Sequence, residues 1–216
     1  MKKITGLVVF LTILIATASF AETYSDDTYA DEPKTASSEE TFLAALYANN
    51  SRLEARFDYK RDFDPGSLIA GFGAIWHENN KKYDMYDLMA GMESEALTTG
   101  LRFALGIKGL LGDAKKADLH GNLLAVGFLV SASYDLPEMI TPIPTQVYAS
   151  FCMAPGPLCY QDSKNYRDVN AGMDFYIIER AAIVLRYKYL RVHFDESVSN
   201  WRFSDDSVFL GFKLKF

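Results

Sequence analysis

Residues able to carry out reactive chemistry are few in this chain. It has three histidines, His77, His120 and His193, and two cysteines, Cys152 and Cys159. The nearest thing to a catalytic set is "RVHFDESVS", which strings together His193, Asp195, Glu196 and Ser197. These are the residue types of a nucleophile, base and orienting acid, and a lipid-acyl hydrolase or transferase at a membrane rim would use them. Such a triad is defined by geometry and roles, not by sequence order. A polar external loop collects the same residues merely by facing water, and that plainer reading is preferred. No G-x-S-x-G, H-E-x-x-H, phosphate-binding or dinucleotide-binding pattern occurs. The expectation is therefore no catalytic residue, no metal site, no cofactor and no enzymatic activity. Cys152 and Cys159 are seven apart, and in an exported chain they are expected to close a small loop as a disulfide.

Export is read from the first segment, "MKKITGLVVFLTILIATASFA". Lys2 and Lys3 precede an apolar run, and Ser19 and Ala21 supply the small residues of a cleavage site, so residues 1–21 read as a signal peptide. Its removal takes two lysines and no acid, moving the formal charge from −6 to −8. An acidic exported chain is a poor candidate for nucleic-acid binding. Residues 22–40, "ETYSDDTYADEPKTASSEE", hold too few aliphatic groups to fold alone and read as a flexible acidic segment.

From residue 41 to residue 216 the pattern has a period of two. Leu53, Ala55, Phe57 and Tyr59 alternate with Arg52, Glu54, Arg56, Asp58 and Lys60. At the end, Val208, Leu210, Phe212, Leu214 and Phe216 alternate with Phe209, Gly211, Lys213 and Lys215. This is strand periodicity. Ten segments follow, at 41–49, 52–61, 67–78, 84–93, 98–111, 120–135, 145–154, 166–178, 180–194 and 205–216. Several have the roughly 9–11 residues of a tilted membrane strand.

Alternation alone does not say which face meets water. A soluble barrel buries the apolar face, and a membrane barrel turns it to lipid. Three features favour the membrane. The other face carries small residues, such as Gly71, Gly73, Gly106, Gly127 and Gly172, as the inside of a narrow barrel must. It also carries charges of both signs, Arg52, Glu54, Arg56, Asp58, Arg102, Lys108, Asp174, Arg186, Lys188 and Lys213, able to pair across a lumen. Parity places Tyr59, Tyr134 and Phe216 near one rim of the lipid face and Trp76, Tyr86 and Tyr189 near the other, forming two aromatic girdles. Connections also alternate. "FDPG", "SEALT" and "IIER" are tight, whereas "HENNKKYD", "GDAKKADLHG", "APGPLCYQDSKNY" and "DESVSNWRFSD" are longer and are assigned outside. "PEMITPIPT" breaks this rule and is read as resting on the inner membrane surface. The expected fold class is all-β, an antiparallel transmembrane β-barrel of about ten strands, with eight as the alternative.

The last third, "FCMAP" followed by "NAGMDFYIIERAAIVLRYKYLRV", resembles the YfaZ family of bacterial outer-membrane proteins. Ala154-Pro155, Asn170-Ala171-Gly172 and Arg186-Tyr187-x-Tyr189 carry the likeness, and a looser similarity reaches back to Arg52. The resemblance implies a barrel in the Gram-negative outer membrane and supplies no catalytic residue. The expected role is structural or that of a narrow, porin-like channel. Basic residues outnumber the acids identified on the inner face, so water in the lumen would favour anions. A charged, mostly filled lumen is the preferred reading over a conducting one. The partners expected are outer-membrane lipids and the barrel-assembly machinery, which would read the C-terminal strand. The chain is expected to be a monomer. A soluble ligand-binding barrel in the periplasm is the remaining rival.

Overall fold

The computed structural model describes residues 39–77, 81–96, 98–116, 119–137, 139–195 and 200–216. Residues 1–21, expected to be a signal peptide, and most of the acidic segment lie outside these residues. Five strands make the first half: β1 (Glu40–Ala48), β2 (Arg52–Phe63), β3 (Gly66–His77), β4 (Lys81–Glu95) and β5 (Leu101–Lys116). The rest are β6 (Leu119–Leu136), β7 (Thr145–Ala154), β8 (Cys159–Gln161), β9 (Ser163–Ile178), β10 (Ala181–Asp195) and β11 (Asn200–Lys215). Every pairing is antiparallel, and the sheet closes where β11 meets β1, with Leu43 opposite Lys215 and Ala48 opposite Leu210. Closure leaves no open edge except on the short β8, which pairs with β6 alone, and so satisfies the backbone polar groups of a wall lying in hydrocarbon.

The barrel has ten staves, because β7 and β8 form one interrupted strand. β7 pairs with β6 from Leu136 down to Phe128, and β8 resumes that pairing at Ala125 to Leu123. Between them a single 3-10 turn, Gly156–Leu158, follows Pro155, whose ring removes a ladder donor. The chain then reverses at Gln161, in the left-handed region with φ 58°. The Asp162 carboxylate accepts from the Asn122 N–H at 2.9 Å, fastening this corner.

The connections differ from expectation. β5 and β6 run to Lys116 and Leu119, β9 starts at Ser163 and β11 at Asn200. The four segments read as long external loops are therefore largely the tops of tall strands, joined by short connections. The longest connection, residues 137–144, is at the opposite, lower end. Loop asymmetry is thus replaced by strand asymmetry, and the strands project far beyond the apolar part of the wall at the upper end.

The outer wall is apolar through its middle. Leu88, Leu105, Ile107, Phe128, Val208 and Leu210 are more than half exposed, and Leu68, Phe72, Val130, Leu185 and Phe212 nearly so. On β6 the outward apolar series runs from Leu124 to Tyr134, ten residues or about 33 Å along the strand. At a barrel tilt of about 40° this gives a height of about 25 Å, the thickness of an outer-membrane apolar band.

Candidate functional site

Inside this wall the lumen has two zones. The lower and middle zone is charged and closely paired. Glu54, only 2% exposed, accepts from both Arg186 and Lys188, the latter at 3.0 Å. The Arg186 guanidinium also lies over the Tyr47 ring at 4.0 Å and near Phe209 at 5.3 Å. Lys108 donates to Asp168 at 2.9 Å and lies 3.8 Å from Asp87. Asp168 is fully buried and also accepts from Tyr166 at 2.7 Å and Asn170 at 3.0 Å. Arg56 bridges Asp58 at 2.9 Å and Asp87 at 3.4 Å, and Lys213 pairs with Asp174. Apart from Arg56 and Asp58, neighbours on β2, each of these charges meets a partner on another strand, so the network ties the wall together. A cavity of about 200 Å³ remains, lined by Tyr47, Arg56, Tyr148 and Arg186 among others.

Small residues make room for these groups. A Cβ on Gly211 would collide with the Tyr47 ring, and one on Gly127 would come within 2.7 Å of the Cys152 sulfur.

The upper zone is a core of aromatic and aliphatic side chains. Leu110, Leu123, Leu190, Val192, Phe194 and Phe203 are almost wholly buried. Phe194 stacks on Trp201 at 4.5 Å, and Tyr83 packs edge-on against His77 and Phe203, each at 5.2 Å. Between the zones Arg52 pairs with Asp205, whose other oxygen accepts from the Tyr83 hydroxyl at 3.1 Å.

Arg52, Glu54, Arg56, Asp58, Lys108, Asp174, Arg186, Lys188 and Lys213 line the lumen, and Arg102 pairs with Asp135 near the lower rim. The expected surplus of basic groups is corrected, because Asp87, Asp168 and Asp205 also point inward and supply the missing partners. Of the aromatic residues assigned to the girdles, Tyr59, Trp76, Tyr86, Tyr134 and Tyr189 stand on the outer parity of their strands, and Phe216 follows the end of β11. Trp76 and Tyr86 meet edge-on at 6.4 Å.

The disulfide is also corrected, since both cysteines are free. Cys152 lies opposite Leu129 and Cys159 opposite Ala125, four residues apart on β6. That separation is about 13 Å along the strand, about twice the longest Cα spacing a disulfide bridges. The interruption at Pro155 lengthens the path between the cysteines without bringing them together. Cys159 Sγ instead donates to the Ala154 carbonyl oxygen at 3.5 Å.

The three histidines are dispersed. His77 lies inside against Tyr83, and His120 is exposed. His193 is on the outer wall, where its Nε2 accepts from Arg202 Nε at 3.4 Å. Partial burial and the charges of Arg202, Lys164 and Arg191 hold its pKa below the ordinary histidine value. Asp195, the acid of the supposed triad, is paired with Lys164 at 2.7 Å. Glu196 and Ser197 lie outside the described residues. No cluster of three metal-ligating side chains occurs among the described residues.

An apolar exterior of bilayer height around a charged interior defines an antiparallel transmembrane β-barrel. No family model matches the chain, and no curated protein matches it. Among solved structures, it is similar to the Neisserial surface protein NspA, at 8% identity and a TM-score of 0.36, over 82% of this chain and 94% of that one. It is also similar to the porin KdgM, at 6% identity and a TM-score of 0.40, over 81% and 96%. A protein from a study of in-meso membrane-protein crystallization overlaps at 10% identity and a TM-score of 0.43, over 82% and 83%. Likenesses this distant leave activity and cargo to the chain's own residues.

Proposed function

We propose that this chain is a monomeric barrel of the Gram-negative outer membrane, of the YfaZ type, whose role is structural and whose lumen is closed. One observation carries the reading: paired charges fill the lower bore, while an aromatic and aliphatic core caps it above. Ions crossing this lumen would have to part both layers. A ten-stranded barrel is also far narrower than the 16–18-stranded porins that keep an aqueous channel. Cleavage after Ala21 would deliver the mature chain, and β11 with Phe216 would be read by the assembly machinery. Exposed Met139, Ile140 and Ile143 on the lower connection fit contact with the inner membrane surface. The narrow-channel alternative has the 200 Å³ cavity in its favour and needs the upper core to open.

The test is planar-bilayer recording of the refolded chain. Insertion that gives heat-dependent gel mobility and no unitary current supports the proposal. Reproducible single-channel steps at modest voltage overturn it in favour of the channel.

A further inference from the structure

Immediately above the apolar band, the outer wall of β9–β11 carries a group of cations. Arg191 stands directly opposite Arg167, two cations in one ladder pair, and Arg202 stands opposite His193, whose ring nitrogen accepts a hydrogen bond from it. Directly opposed residues in an antiparallel pair are about 4.5–5.5 Å apart at Cα, and like charges so placed repel. Arg167 and Arg202 are exposed and Arg191 half-buried. No carboxylate pairs with any of the three among the described residues. Among the described residues, the nearby acids are committed or lower. Asp195 holds Lys164, Asp162 holds the Asn122 N–H, and Asp206 faces the Tyr189 level.

Height selects the counter-anion. Arg191 and Arg167 are each one outward position above Tyr189 and Val169, about 7 Å along the strand. A headgroup layer extends about 5–8 Å beyond each side of the hydrocarbon. Beside the cluster a groove of about 370 Å³ is bounded by Gly156, Lys164, Asn165 and His193. Guanidinium groups match phosphate bidentately. We propose that this face is a docking site for a phosphorylated glycolipid of the outer leaflet, whose phosphates neutralise Arg167, Arg191 and Arg202 while its acyl chains lie on Tyr187 and Leu185. The proposal rests on the outer-membrane reading and adds a specific lipid site to it.

Native mass spectrometry of the folded full-length chain in detergent tests this, with bisphosphorylated lipid A as the probe. The wild type is expected to retain one lipid. Removing both phosphates from the lipid, or making R167Q/R191Q/R202Q, is expected to weaken retention at least about tenfold, given the strength of charge-assisted hydrogen bonds. Arg61→Gln, on the lower outer wall, should leave retention unchanged, and excess inorganic phosphate should not displace the lipid. Equal retention by the triple variant, equal retention of the dephosphorylated lipid, or loss in Arg61→Gln overturns the site. Displacement by inorganic phosphate also overturns it, in favour of a free-anion site. Heat-dependent mobility verifies folding, and the exposed single variant Arg202→Gln serves if the triple variant fails to fold. A chain that stays in solution without detergent refutes the membrane reading itself, a result distinct from all of these.

Discussion

Replacing Glu54 by Gln tests the charged lumen at its most concentrated point. The change keeps side-chain size and removes one charge, leaving Arg186 and Lys188 buried and facing each other with no carboxylate between them. Both cations are under a tenth exposed. Breaking a buried pair by removing one partner costs about 3–5 kcal/mol. The position here falls toward the upper end of that range, since two cations lose the same anion. With a urea m-value of about 2 kcal/mol per molar, a loss of about 4 kcal/mol moves the unfolding midpoint down by about 2 M. The assay is reversible urea unfolding in lipid vesicles, followed by tryptophan emission. A companion variant sharpens it: Lys188→Met removes one cation and leaves Arg186 with Glu54, so it should cost less than Glu54→Gln. The double variant should recover part of the loss, because a lone Arg186 no longer faces a second cation. A Glu54→Gln cost below about 1 kcal/mol, the value of a solvent-exposed pair, would show that water reaches these groups and would refute the filled lumen.

Two further outcomes follow from the wall. Leu210→Arg, on the lipid face opposite Leu185, should destabilise the folded barrel by about 2–4 kcal/mol in vesicles; an unchanged midpoint would mean that this face sees water. Under non-denaturing conditions a maleimide should label Cys159 and spare the buried Cys152, and intact mass after mild oxidation should show no loss of two hydrogens. Protection of both thiols until reduction would restore the disulfide.

The period-two pattern revealed the barrel, its inward charges and its outward aromatics. It failed where the meaning of the pattern reverses. Inside the band, apolar residues face out; above it they face in. On β11 Trp201 and Phe203 share a side with Asp205, Phe209 and Lys213, while Arg202, Ser204 and Asp206 face outward. A reading that follows the outward apolar stripe up from Phe216 stops at Val208, so residues 200–204 looked like loop. Leu190, Val192 and Phe194 reverse in the same way above Lys188 on β10. Asp87 was missed for another reason: in "YDMYDLMAGM" the methionines at 85 and 89 face inward while Tyr86 and Leu88 face outward, so both sides are apolar and parity is faint. Asp168 was overlooked because its neighbours were assigned to the start of a strand beyond a long loop, whereas the chain is already paired from Ser163. The break at Pro155 was visible as a proline. Its continuation as β8 depends on the β6 edge waiting beyond β7, which lies far away in sequence.

The reversal of pattern on β9–β11 also fixes the barrel's height in its bilayer. If the wall slid down by one outward position, Arg167 and Arg191 would enter hydrocarbon, at up to about 2–4 kcal/mol for each cation that reaches the midplane and less nearer the surface. If it slid up, apolar wall at the lower rim, including Ile177, would leave the hydrocarbon. Both displacements are resisted, so a membrane thicker or thinner than the band must bend to meet the protein. Mismatch then costs a fraction of a kcal/mol per ångström, and it falls on the surrounding lipid. The sequence thereby carries a depth gauge, and the leaflet around this barrel adopts the thickness that gauge sets.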